Sequence, residues 1–183
     1  MTNKIEAWQL KEIEKIADCR VFSLHQTVSE SPLSGDDHNF YVLETADWVN
    51  VVPVTSSNEI VCIRQFRHGT QEITLEIPGG MVDPGEDPMV AAARECLEET
   101  GYETKELVSL GVLRPNPAVF ANRLHTFVAP NARPVADISN TSTEQTEVQL
   151  IPIEQVADIL LTGEIDHALV TSTLWRMLYF LKK

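Results

Sequence analysis

Glu95, Glu98 and Glu99 occupy positions i, i+3 and i+4 of the segment Met89 to Thr100, which holds no Gly or Pro and is rich in Ala, Leu and Glu. Propensity makes that segment a helix. The spacing then places three carboxylates on one face within about one turn. Like charges that close repel one another and destabilise the helix unless a cation neutralises them. Arg94, four residues before Glu98, can tether one of them but cannot balance the cluster. Hard divalent cations such as Mg²⁺ select carboxylate oxygens and keep positions open for water and phosphate. A short Glu-x-x-Glu-Glu run alone would be read as a solvated acidic face.

The elements that position this face are marked in the chain. Asp87-Pro88 supplies a capping carboxylate followed by Pro at the first turn, and Gly101 sits where a helix C-terminal glycine belongs. Ahead of the helix, Gly79-Gly80 lets backbone approach a ligand closely. Trp48 to Thr55, Ile60 to Thr70 and QEITLEIPGG read as strands. Two more follow the helix around a loop at Arg114 to Asn122, and TEVQLIPI is another. IEQVADILLTG is a helix stopped by Gly163. The terminal segment repeats Val170, Leu174, Met177, Leu178 and Leu181 at helical spacing. Towards the N-terminus, residues 4 to 17 read as a helical or irregular lead-in, followed by strands at CRVFSLHQTV and HNFYVLETA. Those two strands cannot be stable as a lone hairpin and need a partner surface. A central helix among mixed strands, with helices at the end, implies an α/β/α sandwich.

Composition bounds the function. The chain of 183 residues is 43% apolar and 22% charged, as in soluble globular proteins. It is long enough for one catalytic domain, residues 46–183, and a small β lobe, residues 1–45. No apolar run approaches a membrane span, and the N-terminus is too charged for a signal peptide. A net charge of −13 disfavours nucleic acid and anionic membrane as partners. The three cysteines, Cys19, Cys62 and Cys96, are unsuited to a disulfide framework or zinc site, and a reducing cytoplasm fits them.

The pattern around the carboxylates is longer than the three glutamates. From Gly80 it runs G-x5-E-x7-R-E-x-x-E-E-x-G, through Glu86, Arg94, Glu95, Glu98, Glu99 and Gly101. Seven such fixed points coincide by chance at a rate on the order of 10⁻⁸ per start position, at roughly 7% per residue. The stretch resembles the signature of the Nudix hydrolases at every fixed position. The surrounding run, VVPVTSSNEIVCIRQFRHGTQEITLEIPGGMVDPGE, is similar to the branch that hydrolyses ADP-ribose and nucleoside diphosphate sugars. The similarity extends over about residues 45 to 183.

The resemblance implies a Nudix α/β/α sandwich with a mixed sheet. It also implies Mg²⁺-dependent hydrolysis of a diphosphate, with two or three Mg²⁺ (Mn²⁺ as a substitute), and a homodimer whose N-terminal lobes are exchanged. It assigns metal binding to Glu95, Glu99 and the Gly79 carbonyl, with Glu98 beside them as ligand or as base through water. Glu86 holds the loop or binds metal through water. Arg67 is the phosphate contact it favours. Arg64, three residues away, falls on the opposite face of a strand unless a bulge intervenes. Glu76 either hydrogen-bonds a ribose hydroxyl or pairs with one of those arginines. The general base expected on the loop before the last strand is Glu144, with Glu147 as its rival. Pro115 and Pro117 straddle the place where the family carries an ADP-ribose-specific proline, but its S-P-G form is absent. A broader range of nucleotide sugars follows from that departure. Rival readings are hydrolysis of nucleoside triphosphates or dinucleoside polyphosphates, and a non-catalytic nucleotide sensor. Sensors usually lose glutamates from the signature, and here all four remain.

Overall fold

A computed structural model describes residues 4–182. Two compact units emerge from it, one running up to Ala46 and taking in Arg114–Asn122, the other comprising Asp47–Leu113 and Arg123–Lys183. In the first, β1 (Gln9–Asp18), β2 (Ser23–Glu30) and β3 (Asp37–Glu44) form an antiparallel sheet in that order. Residues Cys19 to Phe22, expected to open a strand, instead make the turn between β1 and β2, with Arg20 at φ 62°.

Of the lead-in read as helical or irregular, residues 4–8 are irregular and the remainder, from Gln9, is β1. Its apolar residues Leu10, Ile13 and Ile16 recur every three residues, which mimics a helix. A register shift between Leu10 and Glu12 explains the first interval. One residue is inserted there, so Leu10 and Ile13 pair with Ser29 and Thr27, two apart on β2, and share a face. Cross-strand pairing overrides the local pattern.

The second unit is a mixed sheet between helices. The main path is β11 (Thr146–Pro152), β5 (Glu59–Arg67), β4 (Trp48–Thr55), β10 (Leu124–Pro134) and β8 (Tyr102–Glu103). Off it, β6 (Glu72–Glu76) pairs with β5, β7 (Gly79–Met81) with β4, and β9 (Val108–Leu113) with β10. The β4–β10 pair is parallel and the others are antiparallel.

Alternation along β4 builds two cores. Val49 and Val51 face α1 (Pro88–Thr100), meeting Ala91, Ala92, Cys96 and Phe127. Val52 and Val54 join the core containing Val156 and Leu160 of α2 (Ile153–Thr162) and Val170, Leu174 and Met177 of α3 (Ala168–Phe180). Leu181, placed on the buried stripe by spacing, is largely exposed at the helix end.

The ends of α1 follow its sequence. Asp87 accepts from the Met89 N–H, Pro88 occupies the first turn, and Gly101 adopts a left-handed conformation with its N–H on the Leu97 carbonyl. Cys62 and Cys96 are buried, and burial pushes both thiols up to about 12, while Cys19 is exposed.

Candidate active site

The strands β4 to β7 and the carboxylate face of α1 surround a cavity of about 510 Å³. Its lining includes Glu95, Glu98, Glu99, Gly79, Arg67 and Glu144. Two segments do the positioning. β7 carries Gly79 and Gly80 into register with Asn50 and Val49 of β4, and α1 packs on the same strand through Ala91 and Ala92. The two glycines face different obstacles. A Cβ at Gly80 would strike the Glu95 carboxylate, and one at Gly79 would strike the Val49 carbonyl. The bare backbone at Gly80 leaves room for the Glu95 carboxylate of α1, and that at Gly79 lets β7 lie close on β4.

Glu99 is 4% exposed and its carboxylate accepts from the Gly79 N–H at 2.9 Å. Burial pushes its carboxyl up to about 8; the Gly79 N–H pulls it back, and the Glu95 and Glu144 carboxylates add to the rise. Burial also raises Glu95, more than its bond from Arg94 lowers it. Arg94 is shared: it donates to Glu86 at 3.0 and 2.9 Å, to Glu95 at 2.9 Å, to Glu98 at 3.3 Å and to the Met81 carbonyl at 3.2 Å. One guanidinium therefore spans three carboxylates and leaves Glu99 without an ionic partner.

Among the described residues, no group of three or more His, Cys, Asp or Glu side chains is drawn together tightly enough to hold a metal ion. Glu95 and Glu98 turn to Arg94 instead. The donor set nevertheless suits a hard divalent cation: its donors are carboxylate oxygens lining one cavity, and Glu99 among them has no ionic partner. Glu95, Glu99 and, beside them, Glu98 are the residues available to it.

The remaining expected residues separate by position. Arg67 donates through Nε and Nη2 to both oxygens of Glu76, each at 2.7 Å, and Thr74 adds a hydroxyl donor at 2.6 Å. Glu76 is 1% exposed. Burial alone would raise its carboxyl, but Arg67 outweighs that and holds it below the usual range. Of the two alternatives for Glu76, the arginine pair is the contact present.

Arg64 does not reach the cavity. It lies on the other face of β5, bonded to Gln149 at 2.8 Å and 3.6 Å from Glu164, as a three-residue interval on a bulge-free strand requires. Arg64, expected as a substrate contact, is therefore not among the residues brought to this cavity. Glu86 also stands outside the lining; it accepts from the Asp83 N–H and from Arg94, which ties the loop ahead of α1 to the helix. Glu144 lines the cavity, whereas Glu147 sits within β11 opposite Arg64. His167 was missed by sequence reasoning. It lines the cavity and caps α3, its Nδ1 accepting the Val170 N–H at 3.5 Å; its place just before a helical repeat was the available signal.

The model of the NUDIX domain matches residues 45–174. The chain belongs to the Nudix family. A curated relative, the methanol dehydrogenase activator of Bacillus methanolicus, is 34% identical over 63% of this chain and 62% of its own length. The ADP-ribose pyrophosphatase of Bacillus subtilis (strain 168) is 26% identical over 85% of the chain and 84% of its own. GDP-mannose pyrophosphatase of Escherichia coli (strain K12) is 28% identical over 83% and 85%. A crystal structure of ADP compounds hydrolase superposes with a TM-score of 0.86 over 99% of this chain and 97% of that one, at 24% identity, which establishes the fold. The Nudix sandwich that the resemblance implied is therefore the fold observed.

Proposed function

We propose that this Nudix protein hydrolyses the pyrophosphate bond of nucleoside diphosphate sugars, ADP-ribose among them, in a Mg²⁺-dependent reaction. One observation carries the reading: a single cavity holds both an under-neutralised carboxylate face and an arginine, Arg67, whose Nη1 makes no bond to Glu76. A diphosphate needs both cation and guanidinium to be held and attacked. The relatives named for ADP-ribose and GDP-mannose support the substrate class.

Bound Mg²⁺ would balance the diphosphate charge and acidify the attacking water. Glu95 and Glu99, with the Gly79 carbonyl, would hold it, and Glu98 would complete that face beside Arg94. Arg67 contacts a phosphate oxygen, and Glu76 fixes the orientation of its guanidinium. Glu144 takes the proton of the water as the new O–P bond forms and the bond to the bridging oxygen breaks. A nucleoside monophosphate and a sugar phosphate leave. Glu86 acts at a distance by holding Arg94 and the loop.

The same reading includes a cytoplasmic homodimer. The sheet of β1 to β3 exposes Leu10, Ile13, Ile16 and Tyr41, a surface suited to a second copy. Among the described residues no helix is long and apolar enough to cross a membrane. Light scattering at two concentrations tests the dimer, and a monomer at both would refute it.

The activity test is a panel of ADP-ribose, GDP-mannose, UDP-glucose, ADP-glucose, a dinucleoside polyphosphate and a nucleoside triphosphate, each with Mg²⁺. Turnover of several diphosphate sugars, lost in Glu99→Gln, is the expected result. Preference for the triphosphate or polyphosphate would overturn the substrate class.

A further inference from the structure

The loop carrying Glu144 is held shut at its base, and its two feet rest on the last turn of α1. At one foot the Ser139 N–H donates to the Glu98 carbonyl at 2.9 Å. At the other, the Thr146 hydroxyl donates to the Glu99 carbonyl at 2.7 Å. The feet are joined directly, because the Asn140 amide donates to the same Thr146 oxygen at 2.8 Å. Between them Glu144 reaches the cavity, with its N–H on the Thr141 carbonyl at 3.2 Å and the Thr141 hydroxyl 3.3 Å from its carboxylate.

Glu98 and Glu99 thus face the cavity with their side chains and hold the loop with their carbonyls. Carbonyls in the last turn of a helix lack partners within the helix, so these acceptors are free for the loop. The Thr146 hydroxyl both donates and accepts, so its removal breaks two links, to the Glu99 carbonyl and to the Asn140 amide. Asn140 has little else to hold it: its Oδ1 is buried and without a partner. The geometry points to Thr146 and Asn140 as a latch, a pair of positioning residues that keeps Glu144 in register with the carboxylates of α1. The catalytic purpose of the latch rests on the reading of Glu144 as general base.

The test uses the full chain with ADP-ribose and Mg²⁺, and compares Thr146→Val, Thr146→Ser, Asn140→Ala, Glu144→Gln and the double variant Thr146→Val/Glu144→Gln. Thr146→Val keeps the shape and removes the hydroxyl. It should lower kcat roughly tenfold with KM nearly unchanged, as expected for the loss of two hydrogen bonds acting on the base alone. Thr146→Ser should restore the rate, and Asn140→Ala should reproduce part of the loss if the valine variant folds poorly. In the Glu144→Gln background the valine change should add nothing, because there is no base left to position. Hydrogen exchange of residues 139–146 without substrate should speed up in Thr146→Val and not in Thr146→Ser.

Unchanged exchange would overturn the latch. Faster exchange with losses that multiply in the double variant would overturn its role towards Glu144. If Glu144→Gln alone retains full kcat, the base assignment fails, and with it the catalytic purpose; the exchange data would still decide whether the loop is held by Thr146.

Discussion

Arg67→Ala is the perturbation whose effect the geometry determines most closely. Glu76 is 1% exposed, and of its three bonds two come from Arg67. Removing one partner of a buried ion pair costs about 3–5 kcal/mol, chiefly because the other charge is left without compensation. The Arg67 side chain is 42% exposed, so water enters the space it leaves and the penalty is reduced to about 2–3 kcal/mol. At roughly 2–4 °C per kcal/mol for a chain of this size, Tm should fall by about 5–10 °C at pH 7. The pH dependence has a definite sign. In the intact protein the Glu76 carboxyl is held low, so its contribution is complete above the unfolded value of about 4.3 and is lost as pH falls through the folded one. Without Arg67, burial remains and raises that carboxyl, so the deficit of the variant should be greatest near neutrality and shrink towards about pH 4. Thermal unfolding at pH 7, 5 and 4 measures it, together with Arg67→Ala/Glu76→Gln, which removes the stranded charge and should recover part of the loss. A double variant as unstable as the single one, or a deficit independent of pH, would refute the reasoning.

Four further outcomes are expected. Gly80→Ala pushes a Cβ into the flexible end of Glu95, so kcat should drop on the order of 100-fold with stability changed by less than about 1 kcal/mol; Gly79→Ala meets the Val49 backbone instead and should cost about 1–3 kcal/mol of folding stability by urea titration. Mg²⁺ at a hundred times its Kd should stabilise the metal-free protein by about 2.7 kcal/mol in a thermal scan, and Glu99→Gln should abolish most of that gain. Asp87→Ala removes the cap from α1 and should cost about 1 kcal/mol in denaturant, while kcat per folded molecule stays the same.

The carboxylate helix was legible because its information is local. Asp87-Pro88 at one end, Gly101 at the other and glutamates at i, i+3 and i+4 specify a helix, its limits and its polar face without reference to the rest of the chain. The longer strands of the second unit were legible for the same reason: along β4, Val49 and Val51 alternate with Val52 and Val54 at an unbroken period of two. The short β8, by contrast, was not foreseen, and QEITLEIPGG, read as one strand, divides into β6 and β7. The opposed faces of Arg64 and Arg67 followed from that period as well.

What lies between distant segments was not legible. β1 imitates a helix because a bulge, created only by its pairing with β2, converts a spacing of three into a shared face. The sequence left Glu76 with two partners; choosing Arg67 required the β5–β6 register that sets Arg67 opposite Glu72 and Ile63 opposite Glu76. The sharing of Arg94 among Glu86, Glu95 and Glu98, the entry of His167 into the cavity and the latch under Glu144 all depend on turns that bring together residues with no fixed sequence interval. Periodicity and capping are properties of one segment, whereas hydrogen bonds between loops and helix ends are set by tertiary packing.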